Sequence, residues 1–146
     1  MFEITITILL GILGGVAVGT QASMAGEMSR RVGGTPTSFF IHLSGAILSG
    51  ILLMIRGGEQ LHNWRKLSWC MWGAGVFGVV LYLCLARTIP RLGAATAIVL
   101  LIIGQLGMGM LIDHFGFFGL PIRHLDGWRV MALILLITGG YLMVRC

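Results

Sequence analysis

In this chain of 146 residues, 57% are hydrophobic, only 10% are charged and the mean hydropathy is +0.96, whereas a soluble domain carries roughly 25% charged residues. A soluble fold of this length leaves too much surface in water to hide that much apolar side chain, so composition excludes it and points to an integral membrane protein. The formal net charge of +5, from 10 Lys and Arg against 5 Asp and Glu, sits in short connections between apolar runs; nucleic acid would require a clustered basic patch, and no such partner is expected.

A helix needs about 20 apolar residues to cross the hydrocarbon core, and the sequence offers five such stretches. The first, over about 4–26, carries no charge. It is longer than the apolar core of a signal peptide, and Glu3 stands where such a peptide has Lys or Arg, so the expectation is a retained span. The second covers about 36–55, with Pro36 near its start, where the missing N–H costs nothing. A polar connection with Arg56, Glu59, Arg65 and Lys66 leads to a third span over about 69–86, ending at Arg87, Pro90 and Arg91. The fourth covers about 92–112. The fifth, about 127–144, has the shortest uncharged part, and the stem of Arg129 is expected to reach back to the headgroups. Trp64, Trp69, Trp72, Trp128 and Tyr141 fall near span ends, as interfacial aromatics do. The expected fold is all-α: one polytopic transmembrane helical bundle over residues 1–146, with no room for a soluble domain.

The chain has 23 glycines. Gly11, Gly15 and Gly19 recur on one face of the first helix in the small-xxx-small pattern that brings helix backbones together. Gly73, Gly75 and Gly78 thin the third helix; Gly104, Gly107 and Gly109 thin the fourth. In lipid the backbone has no other partner, so such helices persist and the glycines offer close packing or a hinge.

With five spans the chain ends lie on opposite sides. Arg30, Arg31, Arg87, Arg91 and Arg145 fall on one side and Arg56, Arg65, Lys66, Arg123 and Arg129 on the other, so the Lys/Arg counts are tied. A tie of this kind also arises by chance in short proteins. It nevertheless keeps open a chain that inserts both ways and forms an antiparallel homodimer, rebuilding from two copies the inverted-repeat design of transporters.

Polar groups inside spans are costly and each has a structural and a functional reading. Gln21, near the end of the first helix, either binds substrate or bonds a neighbouring helix. His42 shares a face with Ser38, Gly45 and Ser49. Since an imidazole ordinarily titrates near neutrality, it is either a proton carrier and ligand contact or a neutral ring bonded between helices. Gln105, with Leu101, Met108 and Gly109 beside it, looks onto an adaptable wall. Asp113 and His114 stand at the membrane boundary as a helix end, with Arg123 or Arg87 as candidate ion partners. No acidic residue falls in the middle of a span, so the buried carboxylate that proton-coupled exporters of cationic drugs use is missing. There is no nucleophile with an aligned base and no phosphate-binding loop, and Cys70, Cys84 and Cys146 have no metal or disulfide spacing. Neither enzymatic activity, nor a metal, nor a cofactor is expected.

The segment 104–119, GQLGMGMLIDHFGFFG, preceded by Pro90-Arg91-Leu92-Gly93-Ala94-Ala95 and followed by Gly127 and a last apolar stretch with Gly139-Gly140, resembles the YdcZ-type branch of the drug/metabolite transporter superfamily. Gln21, Pro36, Ser38-Phe39 and Trp72-Gly73 agree, and the resemblance covers essentially the whole chain. It implies a five-helix protein of the bacterial inner membrane, described in that family as an exporter and equivalent to half of a ten-helix, inverted-repeat transporter. Two five-helix halves related by a pseudo-twofold axis must be inverted, in accord with the charge tie. The chain departs from the family's pattern at Ala25, where an asparagine is expected, and at His42, where a glycine is common.

The expected function is therefore secondary transport of small organic metabolites or drugs, outward in direction by the resemblance. A homodimer would work by alternating access, with Gln21, His42 and Gln105 as substrate contacts and Ser38 and Ser49 as secondary ones. A channel-like pore and a non-transporting accessory subunit are the alternatives.

Overall fold

The computed structural model describes residues 2–145; Cys146 lies outside the described residues. In chain order the helices are α1 (Phe2–Val32), α2 (Gly34–Ile55), a one-turn α3 (Trp69–Trp72), α4 (Ala74–Leu92), α5 (Ala94–Phe115) and α6 (Gly127–Arg145), with a 3-10 segment at Leu61–Lys66 before α3. Five stretches are long and apolar enough to cross a membrane, α3 and α4 together making the third. The fold is all-α and polytopic, with five spans. The contacts divide the chain into two compact units, Met1–Pro90 and Arg91–Cys146.

Several boundaries differ from the sequence expectation, three of them as follows. α1 runs past residue 26 to Val32, so its 31 residues rise about 46 Å, well beyond a core of about 30 Å. The extension is held on its own surface: Glu27 accepts from Arg31 Nε at 2.9 Å and pairs with Arg30 at 3.3 Å, spacings that support a helix. α4 continues beyond residue 86 with Pro90 inside it, because a proline so near a helix end removes little of the hydrogen-bond ladder. α5 starts only at Ala94, after Gly93.

That glycine has a counterpart. Gly33, between α1 and α2, has φ 90 and ψ 163; Gly93, between α4 and α5, has φ 80 and ψ 163. This region of backbone space is essentially closed to residues with a Cβ. In each turn the carbonyl of the glycine accepts the N–H one helical turn on, from Thr37 at 3.3 Å and from Ala97 at 3.2 Å, and both of those residues are buried. Arg31 and Arg91 precede the two glycines by the same interval. Of the buried positions upstream, Ala22 and Ala25 stand before Gly33 as Tyr82 and Leu85 stand before Gly93. The chain thus uses one helix–glycine–helix module twice.

In the first unit the helices approach where side chains are absent. Gly26 lies against Ile89, and a Cβ on Gly34 would stand 2.9 Å from the Cβ of Ala86. In the second unit α5 and α6 meet at Gly140, whose Cβ would stand 2.7 Å from Ile103 Cδ1 and 3.2 Å from Val99 Cγ1. The Thr96 hydroxyl reaches the Met143 carbonyl there at 3.5 Å. Gly11, Gly15, Gly104 and Gly107 have no neighbour within 4 Å of a would-be Cβ, and Gly19 is half-buried. Any close helix packing by the open four involves something other than these contacts.

Replacing either turn glycine should be costly for the same reason. Gly33→Ala and Gly93→Ala are each expected to destabilise the protein by about 1–3 kcal/mol, whereas Gly50→Ala, in open space within α2, should be neutral or mildly stabilising as glycine leaves a helix interior. Unfolding of the purified protein in detergent, followed by circular dichroism, checks the contrast.

Candidate functional site

Polar side chains gather at one place in each unit. In the first, His42 is half-buried on α2, and its Nδ1 lies 2.7 Å from the Ser38 carbonyl and 3.4 Å from the Ser38 hydroxyl. A carbonyl only accepts, so Nδ1 is the donor in this bond, and Nε2 has no hydrogen-bond partner among the described residues. Across from it, Tyr82 of α4 meets the imidazole edge to face, centroids 5.5 Å apart. Gly78, one turn earlier, leaves the space for Nε2: a Cβ there would stand 2.5 Å from that nitrogen. Ser38 is itself buried. A ring oriented by one nitrogen and open at the other can accept a hydrogen bond or take up a proton.

Gln21 does not join this group. It is exposed and lines a recess of about 500 Å³ between α1 and α2 with Met24, Met28, Phe40, Ser44 and Ile47, while His42 turns to α4. The two expected contacts thus use different faces of α2. Ser49 is exposed and lines neither place. Ala25, at the position where the resemblance leads one to expect an asparagine, is 1% exposed and packed.

In the second unit, a recess of about 350 Å³ between α5 and α6 is lined by Gln105, Leu106, Gly109, Met110, Asp113, Arg129 and Ala132. Asp113 Oδ2 lies 3.4 Å from Arg129 Nη1, with the two side chains 37% and 32% exposed. This corrects the expected partners: Arg123 gives Asp113 only its backbone N–H, which donates to the Asp113 carbonyl at 2.8 Å. Asp126 Oδ1 accepts the backbone N–H of Arg129 at 2.8 Å and so caps the start of α6. His114 Nδ1 accepts from the Leu125 N–H at 3.4 Å, and Gly116, with φ 64, closes α5 by donating to the Ile112 carbonyl. Asp113 and His114 lie in the last turn of α5, and the Asp113 carboxylate, beside Arg129, lines the recess.

The sequence singled out His42, Ser38, Gln105 and Asp113 but not Gly78, Tyr82 and Arg129 as members of these sites. Gly78 and Tyr82 sit four residues apart on one helix face, a pattern that is visible but common. Among the described residues no group of His, Cys, Asp and Glu could hold a metal ion.

These features define a multi-pass membrane protein with polar groups held inside and at the ends of its spans. A family model described as "Putative inner membrane exporter, YdcZ" matches residues 6–142. The chain belongs to that family, a branch of the drug/metabolite transporter superfamily, and is thereby a protein of the membrane-transport class. No curated protein and no solved structure matches it.

The close fit at Nε2 yields a direct test. Gly78→Ala should push the imidazole off its bond to the Ser38 carbonyl, at an overpacking cost of about 1–3 kcal/mol, while Gly75→Ala, in open space, should not. Nitrogen-15 NMR of labelled histidine reads the tautomer directly: an Nδ1–H signature for His42 in the native protein, and its loss in Gly78→Ala alone.

Proposed function

We propose that the protein is a secondary transporter that exports small organic molecules across the bacterial inner membrane. It works as a homodimer, with antiparallel copies, by alternating access. The observation that carries the reading is His42: an imidazole well inside a span, oriented by Ser38, with Nε2 free in a gap left by Gly78. With Nδ1 bonded to the backbone of its own helix, the ring leaves Nε2 for another partner, which at membrane depth suits a group that exchanges a proton or a ligand contact. His42, Ser38 and Gln105 are substrate contacts in this reading, with Gln21 lining an adjoining apolar approach and Ser49 a secondary contact.

The separate placement of Gln21, on α1, and of His42, on the side of α2 that meets Tyr82 of α4, favours a carrier over a pore, which needs a continuous polar path. The turn glycines supply the hinge: Gly33 and Gly93 each join two long helices through a single residue, so a small backbone change there swings a whole span. The homodimer draws support from the tied Lys/Arg counts and from α1, whose residues 3–18 are all exposed and whose Gly11 and Gly15 stand open to a second copy. A proton gradient acting through His42 is one energy source; facilitated diffusion is the other.

Proteoliposomes loaded with a bacterial metabolite extract test transport while the substrate is still unidentified, by mass spectrometry of what leaves. A subset of compounds should leave faster than from protein-free liposomes, saturably, and faster with an inward-directed proton gradient, a dependence that His42→Gln abolishes. Full pH dependence in His42→Gln would remove this histidine from coupling, and flux that never saturates would make the protein a pore. Topology is checked separately. With the native cysteines replaced, single cysteines at Gly58 and after residue 145 should each react with impermeant reagent from both sides of intact cells; one-sided reaction would rule out antiparallel copies.

A further inference from the structure

We propose that the recess between α5 and α6 binds small zwitterions, molecules that carry an anionic and a cationic group close together on an apolar body. The inference deepens the transporter reading and rests on it for its biological use, although the site itself stands on its own geometry.

The lining has three zones. At the mouth, Asp113 and Arg129 face each other through a single contact of 3.4 Å, Nη1 to Oδ2. A guanidinium has five N–H donors in a planar fork and a carboxylate two oxygens, and a well-formed pair engages them in parallel. Here one end of each is used. Arg129 retains donors for a second anion, and Asp113 Oδ1 remains for a second cation. Along the wall, Leu106, Met110 and Ala132 offer apolar surface. At the far end, Gln105 presents an amide two helical turns from Asp113, about 12 Å along the axis. The volume of about 350 Å³ lies at the lower end of the range for small-ligand clefts, roughly 300–1,000 Å³.

Charge selects the ligand class. A lone cation approaching Asp113 meets Arg129 beside it, and a lone anion at Arg129 meets Asp113; each gain is largely cancelled. A zwitterion satisfies both, its carboxylate taking the spare donors of Arg129 and its ammonium the free oxygen of Asp113. The four charges alternate and no net charge enters the membrane boundary.

The probes are L-phenylalanine and its two half-charged counterparts, phenethylamine and 3-phenylpropanoate, which share the apolar body and differ in charge. Binding to the full-length protein in detergent is read by calorimetry and by thermal shift. The zwitterion should bind at least about tenfold more tightly than either counterpart, a difference that one added charge-assisted hydrogen bond supplies. Asp113→Asn should invert the preference toward 3-phenylpropanoate, and Arg129→Gln toward phenethylamine. A merely structural ion pair would change stability in these variants but not which charge type binds. Should a variant fail to fold, the comparison among the three probes on the native protein decides alone. Equal or tighter binding of either half-charged probe, or no binding of any, overturns the proposal. Flux in proteoliposomes separates the two readings: zwitterion binding without flux of any compound refutes transport and keeps the site, while saturable flux of other solutes without zwitterion binding refutes the site and keeps transport.

Discussion

A backbone inside hydrocarbon has no water to bond, so each N–H and C=O must find its partner within the protein. Helices meet that demand along their length and fail at their ends. The ends are therefore where this chain places its special residues. At Gly33 and Gly93 the difficulty is reduced to one residue: the helix stops, the glycine takes a conformation closed to other residues, and its carbonyl already caps the next helix. At the end of α5 the solution is longer but of the same kind. Gly116 returns to Ile112, the Arg123 N–H returns to the Asp113 carbonyl, and Asp126 caps α6. Among the groups left over are Nε2 of His42 and part of the Asp113 and Arg129 side chains.

The repetition of the helix–glycine–helix module bears on how helices pack. Both modules place a small residue, Thr37 or Ala97, in buried contact one turn after the glycine. The upstream partners differ in size: Ala22 and Ala25 in the first, Tyr82 and Leu85 in the second. In lipid, helix association gains little from the hydrophobic effect and depends on close contact, so the alanine version permits the nearer approach. The tyrosine version instead brings a ring to His42. One backbone device thus serves a packing role once and a polar site once.

The spans were legible because crossing a membrane demands only length and the absence of charge, and both are written in consecutive residues. Helix ends were less so. Glu27 and Arg31 look like a boundary by composition, yet their ion pair carries α1 on to Val32; Pro90 looks like a stop and lies within α4. His42 and Ser38 could be read together since one turn separates them, but Tyr82 and Gly78 join them only through the register of α2 against α4, which no periodicity within one helix encodes. The partner of Asp113 was missed for a related reason. Several arginines lay within reach in sequence, and the choice of Arg129 depends on the loop path, which Arg123 fixes with its backbone and not its side chain.

The way charge is arranged constrains what such a protein can carry. An exporter of organic cations needs an unpaired carboxylate at depth, for which proton and cation compete. Here the acids are Glu3, Glu27, Glu59, Asp113 and Asp126. Glu27 is taken by two arginines and Glu59 by Arg56 at 2.7 Å, Asp126 caps a helix, and Asp113 has a guanidinium at its side. The polar group at depth in the first unit is the imidazole of His42, held by the Ser38 carbonyl through Nδ1. Neither site rewards a ligand for bringing net positive charge, and the desolvation of such a ligand would go uncompensated. On the proposed transport reading, solutes that are neutral overall, with charges that cancel locally or with hydrogen-bonding groups alone, would meet no such penalty, and electrostatic neutrality would constrain the cargo more than the size of either recess does.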